Sequence, residues 1–556
     1  MGYLVLWLGW LAICLLAVAV VTSAAAKSPR VHRPRFWALF VTSMFLLFNA
    51  ALTVFSGLLL AKENLEPTWL FPYLLLQTLA FLAGAFLVLR KGFRKTEEGP
   101  GAKAWPPAVL FVALGLIFFF TWGAFHLMDL DMRVHQANYR SMILADLVRT
   151  WPPEPPADQN ALYLYDEVYQ SLFGQGVFPE KEGRPGEVPA WLYESTEADF
   201  IPTSTEVVQY LDEGRPALAL ARQAAARPWL YFDLDVHQLI YSETPSLYKL
   251  SHLAKLLNAE ARLKALRGDP EEALADIAAI GAMSGQLFRL PSLITVLTGA
   301  ATERTRAAAL EFVLAQTAFP QEGMIPTPIK PSRPLAPYLV KSVLVERAAI
   351  LQFMATADHQ PGSTGGSGGW SKEFGQIGEY SLRFWRVFLL PEDLRSLERA
   401  WAAVSQAAGE PYPQGVKRLL ALEKSVATEP QGLFTKNYFM NPLPGYLRLY
   451  EAEARRRLMD LALAVTAYKA DTDLYPKNME DLVPSYIEAV PQDPFDGRPL
   501  KMEVLDEGLH LYSVGVPAET VPSFQGGPLR FYLGLEAYEE YRMKPVRLER
   551  EKKKGS

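Results

Sequence analysis

The sequence predicts a mainly α chain in three parts: a four-helix transmembrane anchor, an extracytoplasmic α-helical domain of helical-hairpin type, and a small C-terminal α+β module. Three observations carry this. The first 128 residues hold four long charge-free runs. Between 203 and 445 apolar residues recur at three- and four-residue steps. After Tyr446 a long helical pattern gives way to short strand-like pieces.

The anchor comes first. Leu4–Ala26, Phe36–Ala61, Trp69–Leu89 and Trp105–Phe125 carry no charge. Each has the roughly 20 residues that span a hydrocarbon core of about 30 Å. Trp7, Trp10, Trp37, Trp69, Trp105 and Trp122 stand towards the ends of these runs, where amphipathic rings favour the interface. Ala24–Ala26 resembles a signal-peptide cleavage site. Met1–Gly2–Tyr3 supplies no positive flank before it, though, and Lys27, Arg30, Arg33 and Arg35 follow it.

Basic residues crowd loops one and three. The positive-inside rule then places both loops in the cytoplasm, with the N-terminus and the large C-terminal part extracytoplasmic. Residues 1–128 hold ten Lys/Arg against four Asp/Glu, so the total net charge of −5 combines +6 in this part with −11 in the rest. The runs contain only Thr, Ser, Asn49 and Gln77 as polar groups, and His126 stands at the exit of the fourth. No transport path is expected, and the lipid bilayer is the expected environment.

Composition excludes several classes. Half of the 556 residues are hydrophobic, too many for a disordered chain. The acidic balance excludes a globally basic nucleic-acid binder. The single cysteine, Cys14, excludes a disulfide framework and a Cys-rich metal site.

Residues 129–202 read as a membrane-proximal segment with the stiff run Trp151–Pro156 and a helix at Asn160–Phe173. The helical domain covers 203–445. Ser204 or Thr205 caps its first run, and a long helix spans Pro245–Arg267. Gly268–Asp269–Pro270 then stops one helix and starts the next: Gly suits a left-handed C′ position, Asp a cap, Pro the first turn. Helices at Glu271–Leu287 and Pro291–Ala315 complete a tetratricopeptide-like arrangement without a fixed period. Further helices are predicted at 336–357, 375–409 and 413–426. The Gly-rich stretch His359–Gly369 reads as a flexible loop and lacks the ending of a phosphate cradle.

Residues 446–535 change character. A helix at Tyr446–Thr472 is followed by turns and by strand-like pieces at Leu500–Val504 and Leu509–Val514. The order of this helix, "ALAVTAYKADTDLYPKNMEDLVPSYIEAVPQDPFDGRPL" and "HLYSVG" resembles the globular end of type II secretion major pseudopilins. The stretch Pro245–Leu297 is similar to a family of bacterial envelope proteins that combine such a helical region with the same end. The resemblance implies architecture and a bacterial inner membrane as the location, and supplies no chemistry.

Two departures bear on it. The helix is internal and carries Arg455–Arg457, so it is no polymerisation stem. After Gly515, Glu519 is the one carboxylate in Val516–Thr520, too few oxygens for calcium. Residues 536–556 read as a basic, solvated tail.

Chemistry is sparse. No catalytic residue and no cofactor are predicted. Asp233, Asp235 and His237 would share one face of an extended segment and offer metal ligands. The plainer reading is a polar segment after Trp229–Phe232, and the same holds for Asp129, Asp131 and His135. Ser246–Lys249 fits Ser-x-x-Lys without the further motifs of an acyl enzyme. Glu451, Glu453 and Arg455–Arg457 read as a solvated helix face. The expected function is a non-enzymatic scaffold displaying a protein-binding domain to an envelope partner. The alternatives are a metal-dependent hydrolase using Asp233, Asp235 and His237, and an accessory to a type II secretion-like or filament assembly.

Overall fold

The computed structural model describes residues 149–174, 176, 188–233, 245–316, 325–356, 390–428, 442–506, 508–517 and 526–555, with isolated positions between 137 and 145. The chain divides into two compact units. One comprises Met1–Ser141, Ala355–Ala400 and Leu422–Met440; the other comprises Met142–Met354, Trp401–Ala421 and Asn441–Ser556 and holds most of the described residues.

In this second unit, helices α1 (Leu162–Phe173), α2 (Ala190–Glu194), α3 (Thr205–Glu213) and α4 (Arg215–Ala226) lead into the core. Ser204 caps α3 by accepting from the Val207 amide. Gly214 then ends α3 and Pro216 opens α4, where the sequence pattern reads as one continuous run.

The core is a stack of α5 (Leu250–Leu266), α6 (Pro270–Arg289) and α7 (Leu293–Gln316), each packed on the other two. Leu250, Leu253, Ala254, Leu257 and Ala261 line the inner stripe of α5; Ala273, Ile277, Ile280 and Leu287 do so on α6. Gly268 joins α5 to α6 at φ +85, a conformation that favours a residue without Cβ. Pro270 occupies the first turn with Glu271 and Glu272 beside the positive end of the dipole, while Asp269 makes no side-chain cap bond.

Helices α8 (Ala336–Thr356), α9 (Leu390–Gly409) and α10 (Tyr412–Thr428) follow along the chain. Helix α11 (Leu443–Thr472) runs 30 residues and packs along α7. Ala454, Leu458, Leu461 and Val465 form a buried row on it.

A three-stranded antiparallel sheet, in the order β1 (Lys501–Leu505), β2 (Gly508–Ser513) and β3 (Leu529–Leu533), lies against α11. Leu511 stands opposite Met502 and Phe531, and the buried Leu509 and Leu511 alternate with His510 and Tyr512. The two motif strings behind the pseudopilin resemblance meet here. The buried Asp493 carboxylate accepts from the Phe495 amide at 3.0 Å, Ser513 Oγ at 3.0 Å and the Val514 amide at 2.7 Å. Asp493 therefore pins the turn segment to the end of β2.

The basic C-terminus is helical rather than a loose tail: α12 (Leu535–Tyr538), a π turn (Glu539–Met543) and α13 (Lys544–Gly555). Tyr538 and Met543 are buried with Ala198, Phe312, Ala315 and Tyr532.

The fold class needs one correction, at the transmembrane anchor. Among the described residues no helix is long and apolar enough to cross a membrane. Charge is the physical reason. Even the longest helices carry Glu303, Arg304, Arg306 and Glu311 (α7) or Arg455–Arg457 and Asp460 (α11), and such groups are costly in hydrocarbon. The runs Leu4–Ala26, Phe36–Ala61, Trp69–Leu89 and Trp105–Phe125 lie outside the described residues, as does His359–Gly369. The inner-membrane location and extracytoplasmic placement rested on those runs and are withdrawn with the anchor. The described chain is mainly helical with one small sheet.

Candidate anion-binding cavity

Six segments converge on a cavity of about 220 Å³. Helix α7 contributes Arg304, Ala307, Ala308 and Glu311, spaced so that all four fall on one face. The two alanines leave room that longer side chains would fill. Helix α11 adds Arg455 and Leu458, and β3 adds Arg530 and Phe531. The π turn adds Arg542, α13 adds Val546, and the segment after α2 adds Glu197. A π turn shifts side chains relative to a regular helix, and such turns recur at functional sites.

The charges do not balance. Four guanidiniums line the cavity and only two carboxylates, Glu197 and Glu311, face them. Glu311 is committed to the structure. It is 3% exposed, and its carboxylate accepts from the Tyr532 amide at 2.9 Å and from Arg542 Nε at 3.2 Å. That contact holds the Arg542 guanidinium above its ordinary value. Burial pushes Arg455 the other way, down to about 10; Glu451 opposes the shift, and Arg304 and Arg542 add to it. Arg455 remains protonated at neutral pH.

A fifth guanidinium stands behind the wall. Arg262 of α5 is fully buried, and its hydrogen bonds go to neutral oxygens: Asn258 Oδ1 at 3.1 Å, the Glu197 carbonyl at 2.8 Å, the Phe200 carbonyl at 2.9 Å and the Ala308 carbonyl at 3.4 Å. Its guanidinium lies 4.8 Å from the centre of the Phe312 ring. Burial lowers its pKa. Because Glu197 and Ala308 also line the cavity, Arg262 adds positive potential through the wall.

The neighbours of Arg455 correct the reading of a solvated face. Arg456 reaches the buried Glu303 at 3.6 Å. Arg457 pairs with Glu453 and donates to the Gln492 carbonyl at 2.6 Å. Glu453 also accepts from the Leu335 amide at 2.8 Å. These two arginines are absorbed by packing, whereas Arg455 faces the cavity.

Of the residues predicted to hold a metal, Asp233 is exposed, and Asp235 and His237 lie outside the described residues. So do Asp129, Asp131 and His135. Among the described residues no group of three or more His, Cys, Asp or Glu is placed to hold a metal ion. Lys249 is buried, donates to the Gly176 carbonyl at 2.6 Å and lies over the Tyr169 ring, so it is held away from a dyad role with Ser246.

Sequence reasoning missed Arg262, Arg304, Arg530 and Arg542. The one local signal was the arginine, alanine pair and glutamate of α7 at helical spacing. No family model, curated protein or solved structure matches the chain.

Proposed function

We propose that the protein is a non-enzymatic helical scaffold that binds a small anionic ligand in the arginine-lined cavity. The excess of four lining guanidiniums over two carboxylates, one of them committed to Arg542, supports this reading. Guanidiniums stay charged at physiological pH, so they hold anions rather than shuttle protons. This keeps the scaffold expected from the sequence and specifies what it displays. The helix-plus-sheet module, the shape a pseudopilin resemblance implies, serves here as a packing unit that supplies Arg455 and Arg530.

Calorimetric titration of the full chain with sulfate and with phosphate tests the reading. Saturable binding is expected, together with a raised melting temperature. Arg455→Gln should weaken binding about tenfold, the loss of one charge-assisted contact. Absence of binding of any anion to the folded wild type would overturn it.

A further inference from the structure

The geometry points to a phosphate monoester, held by its phosphoryl group, as the ligand of the cavity. This inference rests on the anion reading and narrows it. Three observations select the phosphoryl group over a carboxylate.

The first is the number of donors. Arg542 is engaged by Glu311, which leaves Arg304, Arg455 and Arg530 facing the cavity with no carboxylate at salt-bridge distance among the described residues. They come from three separate elements, α7, α11 and β3. A phosphoryl group offers three strong acceptor oxygens, one for each. A carboxylate offers two, nearly in one direction.

The second is charge. The lining carries two more guanidiniums than carboxylates. A phosphate monoester carries about −1.5 to −2 at pH 7 and neutralises that excess. A single carboxylate leaves about one positive charge of the lining uncompensated.

The third is size. The cavity measures about 220 Å³. That admits a phosphoryl group and a short organic body resting on Leu458, Phe531 and Val546.

The test compares glycerol phosphate, inorganic phosphate, sulfate, acetate and succinate in calorimetric titrations of the full chain. At pH 7.5 glycerol phosphate should bind about tenfold or more tightly than either carboxylate. Lowering the pH to 5 removes the second phosphate charge, whose pKa is about 6. Affinity for glycerol phosphate should then fall about tenfold. Sulfate is a dianion across that range and should hold its affinity.

Arg530→Gln, at an exposed position, should weaken glycerol phosphate about tenfold while leaving the melting temperature of the free protein unchanged. Arg304→Gln should act the same way. Inorganic phosphate binding as tightly as the ester supports phosphoryl recognition. Succinate binding as tightly as glycerol phosphate overturns the phosphoryl assignment and leaves the anion site standing. Sulfate losing affinity in parallel with glycerol phosphate also overturns it, because the titrating group then belongs to the protein. Binding of none of the five removes the anion reading itself.

Discussion

Two charged clusters sit in the same helical core, and they are built on opposite principles. Between α4, α5 and α6, Arg222 contacts Asp276 and Glu260 at 2.5 Å each, and Lys264 reaches Asp276 at 2.8 Å and Glu260 at 3.5 Å. Two cations meet two buried anions, the exposed Glu272 adds a third carboxylate 3.5 Å from Lys264, and the Asp276 side chain is fully buried. Its burial and the nearby Glu260 raise the Asp276 pKa, while the two cations oppose the rise. Nothing is left over for a ligand. Across the core, the α7–α11–β3 cavity has twice as many lining guanidiniums as carboxylates and an opening in which to use the surplus. Buried charge by itself therefore says little about function. A closed balance locks helices together, and an open imbalance asks for a partner.

The sharpest way to break this contrast is Asp276→Ala. It leaves Arg222 and Lys264 sharing Glu260, with only the exposed Glu272 beside Lys264, and the loss of one partner from a buried network costs about 3–5 kcal/mol. Denaturant midpoints should shift accordingly, with anion binding by the remaining folded protein unchanged. A loss below about 1 kcal/mol would show that the network is not the lock described.

Glu311→Gln acts on the other cluster and should separate stability from binding. Weakening the charged bonds to Tyr532 and Arg542 should cost about 1–3 kcal/mol. Removing that negative charge should tighten sulfate binding about a hundredfold, the order of a unit charge acting on a dianion across ~10 Å at an effective dielectric of ~20. Tightening with destabilisation sharpens the comparison; weakening on both counts breaks it.

The smallest effect is expected at the rim. Arg550 of α13 lies 3.3 Å from both Glu194 and Asp199 and is about one-third exposed. Arg550→Ala should cost at most about 1 kcal/mol, and the cost should shrink in high salt. Limited proteolysis should then cut the C-terminal helix sooner.

How much of the fold was legible depends on the range of the contact involved. The α5–α6 hairpin was readable because Gly268, Asp269 and Pro270 punctuate the chain locally. The helix at Tyr446–Thr472 and the pairing of Lys501–Leu505 with Gly508–Ser513 were readable for the same reason, from periodicity and turn residues. Strand β3 was not: five residues after Gly526–Gly527–Pro528 carry too little pattern, and pairing with β2 is what fixes them.

The C-terminal helix was hidden by its charges. Its anchors, Tyr538, Met543 and Val546, are few among lysines and glutamates. The cavity was least legible. Its arginines are separated by up to 238 positions, from 304 to 542, and each alone looks like an ordinary solvated residue. Arg262 was unreadable for another reason: three of its four hydrogen-bond partners are backbone carbonyls, which every sequence possesses.

The π turn at Glu539–Met543 carries one consequence beyond charge. It holds one residue more than a regular turn, and everything after it is indexed to that extra step. Deleting a single residue there would rotate α13 by about 100° about its axis. Val546 and Arg550 would leave the cavity edge and the α2 segment together, with every arginine of the pocket wall still in the chain. Chain length at one turn thus works as a dial on the roof of the site, separate from the chemistry beneath.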